Sequence, residues 1–413
     1  MIHFVHTADI HFGMENYGKP DPKTGIHSRL LDFERALQFC IDFALEKKVD
    51  FFLFCGDAYK TAHPSPTQQR LLLNCFLRLY QAHIPVIIIV GNHDSPFSFG
   101  KAHALDVFGQ LPMQGFHVIG KPTKLLLETK NGPIHIVGIP WPSRAHIALH
   151  NNFTQLQAHD ITRAISDAVG GLIYTYAQEI DPSLPAVLAG HLTVSSGIFS
   201  GSEKRAVYGT DPLFLPSQLA LAPFDYVALG HLHRHQNLNP QGHPPVVYAG
   251  SIERVDFGER KEDKGFCYVT LHDKQKTTYE FIKTPMRPFI QIEVQLDALV
   301  QDHTEQILTA LARHTLEDAV IKIVYHLPAG CKDRVDIPTI QKACIHAHYL
   351  VGIFPVREPE VRQRRAAIKV DMDIKTLLDS YFETKPEHQN NRALLVQKAL
   401  ELLTECEEQK EKE

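Results

Sequence analysis

The chain has 413 residues, 44% of them hydrophobic and 22% charged, which is typical of a soluble globular protein with two or three domains. Its 42 basic and 47 acidic residues give a net charge of −5, which excludes a protein coated in Lys and Arg. Any binding of nucleic acid must therefore rest on local patches and on metal.

The seven cysteines form no CxxC pair, and several stand in apolar runs, so we expect reduced thiols rather than a disulfide framework. We also expect no signal peptide and no membrane partner, because no positive N-terminal region or membrane-length apolar run is visible. These features together predict a cytoplasmic protein.

Strands and helices alternate in the first part of the chain. Residues 2–5 predict a buried strand, and apolar residues at helical spacing follow from Ser28. The run VDFFLF predicts a second strand, and Ser65-Pro66 then begins a second helix, with Ser as N-cap. Further strands are predicted at IPVIIIV, IHIVGI, PAVLAGH, YVALGH, VVYAGS, FCYVTL and TYEFI. This alternation predicts a layered α/β fold with a buried sheet in a first domain of residues 1–285.

Two smaller parts are predicted after this domain. Residues 286–370 predict a small α+β domain with the order β-α-β-α, with strands at 289–295 and VIKIVYH and helices around 302–314 and 338–348. Residues 371–413 predict two helices. The second of them carries an apolar face with Leu394, Leu395, Ala399 and Leu402.

Side chains with carboxylate, imidazole or amide groups stand at the ends of five of the predicted strands. They are Asp9 and His11; Asp57; Asn92, His93 and Asp94; His191; and His231 and His233. In four of the five clusters a glycine precedes the first polar residue, which lets the backbone turn sharply and approach closely. Because ligands of α/β sheets bind beyond the carboxyl ends of the strands, we expect these side chains to form one site.

The residue types in these clusters match a site for two metal ions. Carboxylate, imidazole and amide groups suit manganese, iron or zinc. Asp9 and His11 are separated by one residue, so both can point to one side of an extended segment. Two metal ions about 3.5–4 Å apart can clamp the attacking and leaving oxygens of a phosphate ester. Asp57 stands alone at its strand end, as a carboxylate that bridges both ions would.

Each cluster taken alone has a plain structural explanation. Asp9 could cap a turn, His191 could be a buried structural histidine, and the GHLH sequence could be a surface loop. All five clusters occur at strand ends, however, and this joint pattern favours a single functional site.

The order DxH, GD, GNHD, GH and GHxH resembles the calcineurin-like metallophosphoesterase superfamily. Within it, the chain is similar to the SbcD family, the nuclease subunit of the double-strand-break-repair complex of the meiotic-recombination-eleven type. The stretches GDAYKTAHPSPTQQ and GSIERVDFGERKEDKGF and the three-part layout carry this narrower resemblance. It implies β-sheets flanked by helices, a DNA-binding cap domain at 286–370 and a helical tail at 371–413 for a partner ATPase.

The resemblance also implies roles for single residues, with manganese as the expected metal. The implied ligands of the first ion are Asp9, His11 and His233, and those of the second are Asn92, His191 and His231. Asp57 would bridge both ions. His93 would be the general acid that protonates the leaving oxygen, and Asp94 would orient and charge its imidazole.

Three nearby positions stand apart from this pattern. Lys60 occupies a position where many relatives carry His or Asp, which leaves open a role of that position in strand handling or exonuclease action. His63 could stand in for it or could be an exposed loop residue. We predict that His235, which extends the GHLH cluster, lies at the surface.

Three functions fit the site. The first is a manganese-dependent DNA nuclease of repair and recombination that works with an SbcC-like coiled-coil ATPase, as a double-strand exonuclease and a single-strand or hairpin endonuclease. The second is a stand-alone phosphodiesterase or phosphatase for a small molecule or nucleotide. The third is a structural subunit with a vestigial site. Every expected ligand is present, which disfavours the third, and the extra domain favours the first.

Candidate partner surfaces have alternatives that stay open. The basic stretches Arg254 to Lys261 and Arg362 to Arg365 could contact DNA phosphates or could be solvated mixed-charge faces. The tail could dock on a coiled coil or pack on its own domain. The resemblance implies a homodimer through the nuclease domain, for which the apolar face of residues 66–83 is a candidate, although that face could equally be core.

Overall fold

The computed structural model describes residues 1–96, 101–110, 115–142, 158–201, 211–357, 373–383 and 390–410. The chain divides into two compact units. The first comprises residues 1–292, 311–323 and 338–352, and the second comprises residues 293–310, 324–337 and 353–413. The division into domains at 285 and 370 stays a prediction.

Two six-stranded sheets form most of the first unit; strands and helices are numbered separately in chain order. The first sheet contains β1 (Ile2–Thr7), β2 (Phe51–Phe54), β3 (Val86–Ile89), β4 (Phe116–Ile119), β13 (Gly265–Asp273) and β14 (Lys276–Lys283). Its order is β14-β13-β1-β2-β3-β4, and β1 to β4 are parallel. The carboxyl ends of β1, β2 and β3 therefore lie at one edge.

The second sheet repeats this arrangement. It contains β5 (Thr123–Thr129), β6 (Gly132–Ile139), β7 (Ala186–His191), β10 (Tyr226–Gly230), β11 (Gln236–Asn237) and β12 (Val246–Tyr248). Its order is β11-β12-β10-β7-β6-β5, with β6, β7, β10 and β12 parallel. Two short strands, β8 (Thr193–Val194) and β9 (Leu213–Phe214), pair separately.

The remaining strands and the helices complete the described elements. A three-stranded sheet contains, in this order, β15 (Phe289–Gln295), β16 (Val320–Leu327) and β17 (Tyr349–Arg357). The helices are α1 (Ser28–Lys47), α2 (Pro66–Gln81), α3 (Asp106–Gln110), α4 (Ala158–Glu179), α5 (Pro216–Leu219), α6 (His303–Leu311), α7 (Ile337–Ala343), α8 (Ile374–Glu383) and α9 (Arg392–Lys410), with a 3₁₀ turn at Phe257–Glu259. Of the helices in these described ranges, none is long and apolar enough to cross a membrane.

The two large sheets pack face to face. Phe4 and Leu53 of the first sheet and Val187 and Ala228 of the second belong to one fully buried cluster. Helices α1 and α2 cover the outer face of the first sheet, and α4 covers that of the second. Each large apolar side chain buried in these layers stabilises the fold by about 1.5–3 kcal/mol. The predicted layered α/β fold, with sheets flanked by helices, is confirmed.

Helix α2 answers one open question about partner surfaces. Ser65 and Gln68 form a capping box, and Pro66 is the first helical residue, as predicted. The apolar face is buried in the core of its own unit, where Phe76 is fully inaccessible to solvent. That face is therefore core, which is one of the two alternatives that the sequence left open, while Leu73 on another face of the helix is 36% exposed.

The elements predicted after residue 285 are present, with one addition. Strands β15 and β16 and helices α6 and α7 follow the predicted order, but β17 then adds a third strand that the β-α-β-α prediction missed. Both predicted tail helices form, as α8 and α9. They contact each other through an ion pair of 3.2 Å between Arg392 Nε and Asp379 Oδ1.

Candidate metal centre

The carboxyl ends of β1, β2, β3, β7 and β10 converge, and the side chains predicted as metal ligands meet there. Potential ligand atoms lie within 4.8 Å of one another in three overlapping groups. These groups are Asp9, His11 and His233; His11, Asp57 and His93; and Asp57, His191 and His231. Both sheets contribute to the site, so it exists only because they pack face to face.

The backbone brings Asp9 and His11 beside Asp57 through turns, and not through the extended segment that the sequence predicted. The amide of Asp9 donates to Gly56 O at 2.9 Å, and that of His11 donates to Asp57 O at 3.0 Å. Asp9, His11 and Asp57 all have a left-handed backbone, with φ of 53°, 52° and 59° respectively. The predicted extended arrangement of Asp9 and His11 is wrong: left-handed turns aim both side chains into the site. Such conformations cost about 1–3 kcal/mol each and often mark functional sites.

The glycines at the strand ends allow close approach, as predicted. A Cβ atom at Gly91 would overlap the Asp57 carboxylate, and one at Gly230 would overlap the carbonyl oxygen of Cys55. Any side chain at either position would separate the segments that carry the ligand candidates.

The side of the site formed by Asp9, His11 and His233 is called the first side. The Nε2 atoms of His11 and His233 lie 2.9 Å apart. Both carboxylate oxygens of Asp9 accept from the amide of His231 at 3.1 Å. Burial and the neighbouring His233 keep the pKa of His11 well below its ordinary value, so its ring is neutral.

The second side is formed by Asn92, His191 and His231. Asn92 Oδ1 lies 2.9 Å from His191 Nε2 and 3.2 Å from His231 Nδ1. The Nδ1 atom of His191 donates to the Cys55 carbonyl at 2.7 Å, since a carbonyl can only accept. The Trp141 ring lies 4.9 Å from that of His231 and packs against this side.

Asp57 lies between the two sides. Its Oδ2 atom is 3.4 Å from His191 Nε2 and 3.8 Å from His11 Nε2, and its Oδ1 accepts from the amide of His93 at 2.9 Å. Burial opposes ionisation of Asp57, but the adjacent His191 holds its pKa far below the ordinary value. Burial also disfavours charge on His191, yet Asp57 raises its pKa to about 9. Asp57 and His191 thus form an ion pair.

The chemistry of this donor set fits divalent metal ions. The rings of His191, His93 and His233 each direct Nδ1 to an acceptor behind the ring, which leaves Nε2 to face the site. Buried Nε2 atoms only 2.9 Å apart, as in His11 and His233, are readily explained as two ligands of one cation. Imidazole, carboxylate and amide donors without a thiolate favour manganese, iron or zinc.

His93 stands at the exposed mouth of the site. Its Nδ1 atom donates to the backbone carbonyl of Lys60 at 2.8 Å, and its ring lies 5.1 Å from that of His11. Position 60 therefore supports His93 through its backbone, whatever side chain it carries. His63 is an exposed loop residue.

The role predicted for Asp94 is wrong. Its fully buried carboxylate accepts from the amides of Asp57 at 2.8 Å, Ala58 at 2.9 Å and Gly91 at 3.0 Å. These donors occupy the carboxylate, and the Lys60 carbonyl takes the place behind His93. Asp94 therefore ties the loop after β2 to the loop after β3.

His235 also differs from its prediction. Its ring stacks on Phe281 at 4.1 Å, and its Nδ1 atom lies 2.9 Å from Tyr248 O. The residue is partly buried rather than at the surface, because the strand that follows the GHLH loop turns it away from the metal centre.

Sequence reasoning missed several residues of the site's surroundings. Glu259 and Lys264 are buried behind His233, and Asp211 Oδ2 lies 3.6 Å from His231 Nε2. The segment GERKEDKG contains both buried residues but appears in the sequence as a mixed-charge surface. All six residues from Glu259 to Lys264 are charged, so the sequence carried no signal that distinguishes the two buried ones.

The basic residues predicted as candidate DNA contacts differ in their exposure. The guanidinium of Arg254 donates to the carbonyl of Arg287 at 2.8 Å and is half-buried, so it serves the fold. Lys261 is exposed. The stretch Arg362 to Arg365 lies outside the described residues.

The fold and site define a metal-dependent phosphoesterase, a hydrolase of phosphate esters. Residues 2–235 match the family model described as calcineurin-like phosphoesterase, and this span exceeds half of the chain. The chain belongs to the calcineurin-like phosphoesterase family, and the predicted resemblance is confirmed.

Individual proteins add detail. The chain is 28% identical over 295 residues to the D subunit of nuclease SbcCD from Staphylococcus epidermidis (strain ATCC 12228 / FDA PCI 1200), a match that covers 70% of this chain and 71% of that protein. A dimetal phosphatase from Danio rerio has a TM-score of 0.40 and 11% identity, over 68% of this chain and 98% of that one. The protein TT1561 of Thermus thermophilus has a TM-score of 0.36 and 14% identity, over the same shares of the two chains.

Proposed function

We propose that the protein is a manganese-dependent DNA nuclease of repair and recombination that works with an SbcC-like ATPase. The observation that carries the proposal is the position of Asp57, whose carboxylate faces His11 on one side and His191 on the other. Similarity to the D subunit of nuclease SbcCD over most of both chains supports DNA as the substrate.

The proposal assigns Asp9, His11 and His233 to one ion, Asn92, His191 and His231 to another, and Asp57 to both. When bound, the two ions stabilise charge on the attacking and leaving oxygens of the phosphodiester. His93 protonates the leaving oxygen from Nε2, because Nδ1 is held by the Lys60 carbonyl and the ring is open to solvent. The buried walls around Asp9 and Asp57 keep bulk water from the carboxylates.

The proposal includes the parts that follow the phosphoesterase domain. Residues 286–370 form the DNA-binding cap domain, and residues 371–413 bind the coiled coil of the ATPase. Exposed apolar side chains on the tail favour this, since Leu394 is 69% exposed and Leu402 is 51% exposed. A homodimer and a cytoplasmic location, inferred from the resemblance, also belong to the proposal.

A nuclease assay tests the substrate class. The full chain, alone and with the ATPase that co-purifies with it, is incubated with Mn²⁺ and blunt duplex, hairpin and single-stranded DNA, with and without ATP. We expect shortening of duplex ends as exonuclease activity and nicking of hairpins as endonuclease activity. Cleavage of a small phosphodiester alone, with no ATPase recovered, would instead support the stand-alone phosphodiesterase.

The partner surface is tested by deleting residues 371–413. We expect nuclease activity on short DNA to remain, because every candidate ligand lies in residues 9–233, while binding of the ATPase is lost. The matched point variants Leu394→Asp and Leu402→Asp keep the helix and should weaken binding on their own. An ATPase complex that survives both changes would place the partner surface elsewhere.

A further inference from the structure

A buried pair of opposite charges lies behind His233. Glu259 and Lys264 are both completely inaccessible to solvent. Glu259 Oε1 lies 2.8 Å from His233 Nδ1, and Glu259 Oε2 lies 2.9 Å from Lys264 Nζ. Charged residues are rarely buried to this degree unless they are paired, so the arrangement is specific.

Two groups that contact the Glu259 carboxylate, the Lys264 ammonium and the amide of Val255, can only donate. Oε2 accepts from Lys264 Nζ and from the amide of Val255 at 2.9 Å, which leaves Oε1 for His233. A carboxylate held by these two donors stays ionised and can only accept. The proton of a neutral His233 ring must therefore reside on Nδ1, and the Nε2 lone pair faces the first side.

Lys264 contacts His233 directly as well as through Glu259. Its Nζ atom donates to the backbone carbonyl of His233 at 2.9 Å and to Glu262 Oε2 at 3.1 Å. One ammonium group thus fixes both the backbone of His233 and the carboxylate behind its ring. Buried ion pairs contribute little net stability on average, so positioning explains this pair better than stabilisation does.

Two other rings of the metal centre have a different group behind Nδ1. His191 and His93 direct Nδ1 to backbone carbonyls, of Cys55 and Lys60. A carboxylate behind the ring makes imidazole a stronger ligand than a carbonyl does. We propose that Glu259, held by Lys264, is a positioning residue that fixes the His233 tautomer and raises the metal affinity of the first side. This inference rests on the metal centre of the proposed function.

The substitution Glu259→Gln gives a sharp test. If the amide oxygen replaces Oε2, it still accepts from Lys264 and Val255, and the amide NH₂ group then faces His233 Nδ1. His233 can satisfy that donor only by moving its own proton to Nε2, the atom that faces the metal. We expect the tautomer to invert and the Mn²⁺ affinity of one of the two sites to fall by about 10–100-fold.

Two measurements read these effects without nuclease activity. Nitrogen NMR of histidine-labelled, metal-free full-length protein reports which ring nitrogen of His233 carries the proton. Titration with Mn²⁺ alone, followed by electron paramagnetic resonance of the free ion, reports the affinities. Glu262→Gln is the matched control, because Glu262 contacts Lys264 whereas Glu259 contacts the His233 ring itself. We expect the control to change neither result.

The outcomes separate this inference from the proposed function. Wild-type protein with the His233 proton on Nε2 would overturn the inference without any variant, so the test survives even if Glu259→Gln does not fold. Equal Mn²⁺ affinities in Glu259→Gln and Glu262→Gln would also overturn it, while leaving the proposed function intact. A wild-type protein that binds no Mn²⁺ would instead remove the proposed function and, with it, the affinity claim.

Discussion

The two sides of the candidate metal centre use similar ligands but different supports. On the first side, a buried carboxylate and ammonium stand behind His233. On the second side, a backbone carbonyl stands behind His191, and the Trp141 ring packs on His231. The two sides are therefore distinguished by the groups behind the ligands, and not by the ligands alone.

Asp57 lies between the two sides, so its replacement should weaken metal binding on both of them. In Asp57→Asn, a neutral amide replaces the carboxylate between His11 and His191. We expect the rate of Mn²⁺-dependent DNA cleavage to fall by about 10⁴-fold and the metal content to fall on both sides. Elemental analysis and single-turnover cleavage check this. Two tightly bound ions in the variant would contradict the bridging role.

His93 should affect neither side's metal content. It is exposed, and its Nδ1 atom is held by the Lys60 carbonyl, so its removal leaves the buried ligands in place. For His93→Ala we expect about a 10³-fold loss of cleavage rate with both ions retained. Metal analysis and kinetics on the same preparation distinguish the two effects, with His63→Ala as a control at an exposed loop histidine. Loss of both ions would show that His93 is a ligand.

Asp94 supports both sides through the backbone, so its replacement should weaken them together. In Asp94→Asn, an NH₂ group faces amide donors of the loops after β2 and β3. We expect the free energy of unfolding to fall by about 3 kcal/mol. Urea unfolding measures this, with Asp181→Asn as a control at an exposed aspartate. A variant of normal stability that loses activity alone would restore the predicted role in orienting His93.

Trp141 should produce the smallest effect, confined to the second side. Its ring contributes packing to His231 but no hydrogen bond to the ligand. Aromatic contacts are worth about 0.5–1.5 kcal/mol, so Trp141→Ala should lower one Mn²⁺ affinity by about 2–10-fold. Manganese titration tests this, with Tyr174→Ala as a control at an exposed aromatic residue. An equal loss of Mn²⁺ affinity at both sites would show that Trp141 does not act on the second side alone.

The sequence alone predicted the layered fold and the convergence of the ligand candidates. Apolar strands such as IPVIIIV end at glycine followed by polar residues, and in a parallel sheet such ends share an edge. The α2 boundaries were predictable because Ser65, Pro66 and Gln68 act locally. Local signals of this kind survive folding, so they can be identified without knowledge of tertiary contacts.

Features that depend on distant contacts were not predictable. The carboxylate of Asp94 is bound by amides of residues 57 and 58, far away in the chain, while its neighbour His93 turns to Lys60. The burial of Glu259 and Lys264 depends on the packing of the segment before β13. A run of alternating charges gives no indication of which of its members will be covered.

The left-handed backbone at Asp9, His11 and Asp57 has a consequence for protein engineering. Glycine adopts this conformation without steric cost, so a thermostability search guided by backbone geometry would favour glycine at all three positions. Each replacement would remove a ligand candidate of the metal centre. A redesign of this chain for heat resistance should therefore keep these residues constant and seek its gains in the outer helices.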